Sequence, residues 1–227
     1  MPFPYPAVAL DETGLRSLFE ERHFLLDHEI RNPHPETPVS QDKKATAKPS
    51  AVLLPVVQTD VGLSLLLTRR HQHIRFAGHI CFPGGRQDPE DLSAVETALR
   101  ETEEEIGLER NRVEVLGALG RYFTQTGYEI VPVVGLIKAL PELELNPVEV
   151  EQVYQVPLNS VLDTSQYQLA WHAGGRGHLA YHWNVGSEVI RVAGPTVSLM
   201  IALYEQVLFH NGAISKVFEL RDLPTQH

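Results

Sequence analysis

The segment ALRETEEEIGL, residues 98–108, places four glutamates within five positions: Glu101, Glu103, Glu104 and Glu105. Like charges this close repel and weaken an isolated helix. If residues 93–106 are helical, Glu101, Glu104 and Glu105 stand at i, i+3 and i+4 and share one face, while Glu103 points elsewhere. An acidic run is most often a solvated helix face. Three carboxylates on one face also suit a hard divalent cation, Mg²⁺ or Mn²⁺, which takes oxygen ligands and bridges carboxylates to substrate phosphates. The surroundings favour the metal reading: Arg100 precedes the first acid, Gly84 and Gly85 lie upstream, and Gly107 follows.

The elements that must position these acids are read from periodicity. Residues 11–30 read as a helix, with Leu15, Leu18, Phe19, Leu25 and Leu26 near helical spacing. Residues 31–50 are rich in Pro, Ser and Lys and read as a linker or exposed loop. The runs at 51–57 and 61–68 suggest adjacent buried strands, and GHICFPGG (78–85) a short strand entering a glycine turn. Residues 91–106 form the acid-bearing helix, closed by Gly107. Strands follow at 112–119 and 129–138; 149–156 fits a strand or a short helix, with a turn and helix after it. A hairpin over 166–193 and a final helix over 196–209 complete the chain. The domain division expected is 1–48, an N-terminal helix and linker able to dock a partner or a second copy in a homodimer, and 49–227, the catalytic domain.

The formal net charge of -10 argues against a broad nucleic-acid surface, which needs clustered Lys and Arg. An acidic chain still binds phosphorylated small molecules where a metal supplies local positive charge. Cys81 stands alone, so no intrachain disulfide forms. No secretory leader, membrane-length apolar run or C-terminal retention signal is apparent, and a cytoplasmic protein is the expectation. His71, His73 and His79 crowd one loop, but their spacing fits no closed zinc site. Cys81 reads as a small core residue. Trp171 and Trp183 read as packing residues, with stacking on an adenine as the alternative.

The segment GGRQDPEDLSAVETALRETEEEIGL resembles the signature of the Nudix hydrolases. That signature is glycine, five residues, glutamate, seven residues, then Arg-Glu-apolar-x-Glu-Glu-x-Gly-apolar. Its second half matches Arg100, Glu101, Glu104, Glu105, Gly107 and Leu108, with Thr102 at the apolar position. The first half is one residue longer, and its early glutamate is replaced by Asp91 or Glu90. A longer box beginning with Gly84, Gly85, Asp88 and Asp91 resembles the coenzyme A pyrophosphatase branch. LLLTRRHQHIRFAGHICFPGG, TGYEIVPVVG and NPVEVEQVYQVPLNSVL resemble that branch's flanking motifs.

The resemblance implies an α/β protein: a Nudix-type α/β/α sandwich with a mixed sheet and a catalytic loop-helix-loop. It implies Mg²⁺ or Mn²⁺ on Glu101, Glu104 and Glu105, with the Gly85 carbonyl as a further ligand. Gly84 would let the backbone turn sharply beside the metal and substrate. Arg100 would orient a carboxylate rather than touch substrate. Glu149 is the first candidate for general base and Glu129 the second. Arg69 and Arg75, with Arg70 behind them, are candidates for binding substrate phosphates. The implied reaction is hydrolysis of a diphosphate in CoA or a derivative. Other nucleoside diphosphate derivatives (ADP-ribose, NADH, dinucleoside polyphosphates, nucleoside triphosphates) are the alternative substrates. A ligand-sensing module without turnover is a third reading, disfavoured because all three acids are kept.

Overall fold

The computed structural model describes residues 7–20, 26–30, 38–171 and 177–213. Its elements are α1 (Glu12–Glu20), β1 (Glu29–Ile30), α2 (Gln41–Ala45), β2 (Lys48–Thr59), β3 (Gly62–Arg70), β4 (Ile80–Cys81), β5 (Gly84–Arg86), α3 (Ala94–Ile106), β6 (Glu114–Ala118), β7 (Arg121–Phe123), β8 (Tyr128–Ile137), β9 (Val150–Pro157), α4 (Leu158–Val161), β10 (Tyr167–Trp171), β11 (Gly177–Val185), β12 (Glu188–Ala193) and α5 (Pro195–His210). β2 lies at the centre of a mixed sheet, parallel to β8 and antiparallel to β3 and β5. β9 pairs with β3, while β6 and β7 pair with β8.

The apolar runs in β2, β3 and β8 are continuous because both faces of the sheet are covered. Ala51, Leu53, Leu66, Val131 and Val133 pack beneath Ala98 and Ile106 of α3. Leu54, Val56, Leu65, Leu67, Val134 and Leu136 point to the opposite layer, with Leu15 and Phe19 of α1 and Val197, Leu203 and Val207 of α5. The side-chain period of two thus sorts one run into two cores. α5 is buried on all sides, which explains its nearly unbroken apolar sequence. Among the described residues no helix is long and apolar enough to cross a membrane.

The expected helix over 11–30 is shorter in the structure. Among the described residues α1 spans Glu12–Glu20, residues 26–27 form a turn, and Glu29–Ile30 pairs in parallel with Arg121–Tyr122 of β7, so helix does not reach residue 30. The apolar face of α1, with Leu15, Leu18 and Phe19, is buried against its own chain. Within the stretch read as a linker, residues 41–45 are helical and β2 has begun by Lys48. Residues 149–156 resolve as strand, because Val150–Pro157 pairs with β3. The expected hairpin over 166–193 is a three-stranded antiparallel sheet, β10–β11–β12. Leu25, the prolines at 33 and 35 and the glycine turn at 174–175 lie outside the described residues, as does the side chain of Trp171. Trp183 packs against the α5-side core.

Candidate active site

α3 carries the acids and is set at both ends by its own sequence. Ser93 caps the N-terminus, its hydroxyl accepting from the Glu96 amide at 3.2 Å. Gly107 ends the helix in the left-handed region at φ 70°, its N–H donating to the Glu103 carbonyl at 2.9 Å. Thr102 is buried, and its hydroxyl turns back to the Ala98 carbonyl at 2.6 Å, so a polar group fills an apolar position with its hydrogen bond satisfied. Glu103 leaves the acid face and pairs with Arg110 at 2.7 Å.

Glu105 is the most enclosed of the three facing acids, 3% exposed. Its carboxylate accepts from the Gly84 amide at 3.3 Å, and Arg70 Nη1 stands 3.9 Å away. Burial pushes its carboxyl up to about 8, against the opposing influence of Arg70 and the Gly84 amide. Glu101 is half-buried, and burial raises it too, while Arg100 opposes. The charge of Glu149 acts on both Glu101 and Glu105, raising each. Glu149 is placed there by the 146–149 turn: the Asn146 amide donates to the Glu105 carbonyl at 2.9 Å, and the His71 amide donates to the Glu149 carbonyl at 2.8 Å. Glu104 is exposed and shares Arg100 Nη1 with Glu101, each at 3.0 Å.

The two glycines form the floor. Gly84 has φ 146°, and a Cβ there would stand 2.4 Å from the Ala51 carbonyl oxygen. A Cβ on Gly85 would stand 2.3 Å from Glu101 Oε2. Glycine is required at position 84, where backbone of β2 leaves no room, while Gly85 leaves space for the Glu101 carboxylate. Arg100 is held by Asp91 through two hydrogen bonds, Nε to Oδ1 at 2.9 Å and Nη2 to Oδ2 at 2.8 Å, and it donates to the Arg86 carbonyl at 3.0 Å. The guanidinium keeps the Asp91 carboxyl well below the usual carboxylate range. Of the two replacements for the early glutamate, Asp91 is the one paired with Arg100.

The upstream arginines diverge. Arg70 faces Glu105, and its Nε donates to the Arg75 carbonyl at 3.2 Å. Arg69 pairs with Glu188 of β12 and lies over the Tyr154 ring at 5.2 Å. Arg75 stacks on Phe76 at 4.7 Å. The structure therefore brings Arg70, not Arg69 or Arg75, to the acids. Glu129 is paired with Arg121 at 3.6 Å. A cavity of about 410 Å³ has Arg70 and Gly84, the two residues that reach the Glu105 carboxylate, in its wall together with Phe76, Tyr128 and Thr196; the acids themselves do not line it. The sequence reading passed over Phe76; an aromatic inside the His- and Arg-rich segment HQHIRFAGH was the available signal.

Among the described residues no three His, Cys, Asp or Glu side chains are already gathered as a metal cage. In this arrangement Arg100 occupies one oxygen each of Glu101 and Glu104. The donor set nevertheless fits a hard cation. All the groups are oxygens, Glu105 is buried against a single amide and one distant guanidinium, and the Gly85 position leaves the Glu101 carboxylate against bare backbone.

A family model described as the NUDIX domain matches residues 47–173. A protein of Yersinia pestis (strain Pestoides F), described as an uncharacterized Nudix hydrolase NudL, is 35% identical over 188 residues, covering 78% of this chain and 94% of that protein. The NudL of Yersinia pseudotuberculosis serotype O:1b (strain IP 31758) matches to the same extent, 35% over 188 residues, 78% and 94%. Among solved structures, a MutT/nudix family protein from Enterococcus faecalis is 17% identical, with a TM-score of 0.43, over 90% of this chain and 81% of its own. With the signature helix and a domain match running from β2 into β10, the chain belongs to the Nudix hydrolase family.

Proposed function

We propose that the protein hydrolyses the diphosphate of coenzyme A or a derivative, releasing adenosine 3′,5′-bisphosphate and 4′-phosphopantetheine, with Mg²⁺ or Mn²⁺ as the ion. The observation that carries this reading is the Gly84–Gly85 strand set between Glu101 and Glu105, with Arg70 leading from Glu105 into the cavity. The choice of CoA is supported by the longer box and the three flanking segments that resemble the CoA pyrophosphatase branch.

In this reading Glu101, Glu104, Glu105 and the Gly85 carbonyl hold the ions. When bound, the ions neutralise the diphosphate and favour attack by water on phosphorus. Glu149 accepts the proton of the attacking water, since it is the carboxylate outside α3 whose charge reaches the cluster. Arg70 donates to a phosphate oxygen. Gly84 lets the backbone pass close to the diphosphate, and Arg75 holds Arg70 through its carbonyl. Arg100 keeps Glu101 and Glu104 in place and touches no substrate.

The test is chromatographic product analysis. Purified protein is incubated in turn with CoA, ADP-ribose, NADH and a dinucleoside polyphosphate, with Mg²⁺ or Mn²⁺ and with chelator, beside Glu104→Gln and Glu105→Gln variants. Metal-dependent release of adenosine 3′,5′-bisphosphate from CoA, lost in Glu105→Gln, is expected. Cleavage of another diphosphate with CoA left intact refutes the substrate. Absence of any turnover favours the ligand-sensing reading.

A further inference from the structure

We propose that Phe76 receives the nucleobase of the substrate by stacking at the mouth of the cavity. This rests on the reading that the site acts on a nucleoside diphosphate derivative. Four observations converge on Phe76. It lines the cavity that also contains Arg70 and Gly84, the two residues that reach the Glu105 carboxylate. It is 48% exposed and joins neither hydrophobic core; its ring contacts are with the Arg75 guanidinium and, tilted at 5.7 Å between centroids, the His79 imidazole. Its φ is 62°, and among the described residues it is the one non-glycine at positive φ. A bulky side chain in that region is an outlier, and such strain collects at ligand-binding positions.

The loop leaves the ring little choice of position. Gly78 N–H donates to the Arg70 carbonyl at 3.0 Å, and His79 N–H to the Phe76 carbonyl at 3.1 Å. Arg70 Nε donates to the Arg75 carbonyl at 3.2 Å. The guanidinium of Arg75 lies 4.7 Å from the ring centroid and steadies its plane. The residue that faces Glu105 therefore also fixes the loop that presents the ring. A ring held in one plane favours a rigid planar heterocycle. A flexible pantetheine arm gains nothing from that fixed plane. Gln125 and Thr126 line the same cavity and carry amide and hydroxyl groups that suit the edges of a base.

The experiment compares binding of adenosine 5′-monophosphate and ribose 5-phosphate by calorimetry, for the whole protein and for Phe76→Gly and Phe76→Trp. Glycine adopts positive φ freely, so Phe76→Gly is expected to fold. Stacking predicts that it weakens adenosine 5′-monophosphate about 5- to 100-fold and leaves ribose 5-phosphate nearly unchanged, with Phe76→Trp restoring the difference. Equal weakening of both ligands, or of neither, overturns the proposal. The two readings fail separately. Intact CoA together with base-dependent binding refutes only the CoA substrate. CoA turnover without base-dependent binding refutes only the stacking.

Discussion

Arg100 grips Asp91 across a gap of nine positions with two parallel hydrogen bonds, at 2.9 and 2.8 Å. The same guanidinium reaches Glu101 and Glu104 from its remaining nitrogen, so one cation ties the loop before α3 to its acid face. Asp91 also accepts from the Asp88 amide and the Thr97 hydroxyl. The longer box is thus closed by a shorter acid.

Asp91→Ala should leave Arg100 without its main partner and loosen both acids. A lost hydrogen bond between charged groups costs about 2 kcal/mol, or roughly 4–8 °C in Tm for a chain of this size. Asp91→Asn, which keeps shape but not charge, should lie between. Thermal unfolding beside steady-state kinetics checks this, and an unchanged Tm in Asp91→Ala would remove the pair's structural role.

Gly84→Ala and Gly85→Ala should fail in different ways. At Gly84 the added carbon meets backbone at 2.4 Å and the φ is unfavourable, so stability should fall by at least about 2 kcal/mol. At Gly85 it meets the end of the Glu101 side chain, which can move. Metal affinity should then drop about 10- to 100-fold with a smaller change in Tm. Metal titration and melting curves on both variants separate the two effects.

The metal-free protein should lose stability as pH rises from about 5 to 8. The folded carboxyl of Glu105 is pushed up to about 8, above its unfolded value, so the native state binds the extra proton in this window. That stability is full below the unfolded value and is lost as pH climbs toward the folded one, with a slope of at most about 1.4 kcal/mol per pH unit. Mg²⁺ should restore it most at the alkaline end. Melting in chelator across this range, with Glu105→Gln giving a shallower profile because only the Glu101 contribution then remains in the acid cluster, is the check.

Glu149→Gln should lower kcat about 10²- to 10⁴-fold if it takes the proton. Glu129→Gln should keep most of the rate, because Glu129 is paired with Arg121. Comparable losses in both variants would move the base elsewhere.

Arg70→Ala should raise KM for the diphosphate substrate. Arg69→Ala should instead cost stability, by freeing Glu188 and uncovering Tyr154. The reverse pattern would show that the strand presents Arg69 to the substrate.

Periodicity and local chemistry alone determined the acid helix. The i, i+3, i+4 spacing and the closing glycine are relations within one turn or two, and they survive in any fold that keeps α3. The buried strands were legible for a similar reason, as apolar runs must be covered. Sequence could not choose between neighbours. Asp91 and Glu90 are both acids, but the loop from Arg86 to Ser93 turns Asp91 toward Arg100. Arg69 and Arg70 are adjacent and chemically alike, yet a strand sends adjacent side chains to opposite faces. Their direction depends on the register with β9, which shifts between these two residues. Glu149 joins the cluster only because β9 lies against β3 and the 146–149 turn hangs from the end of α3. These are long-range pairings, and they are settled by how the sheet closes rather than by the residues on either side.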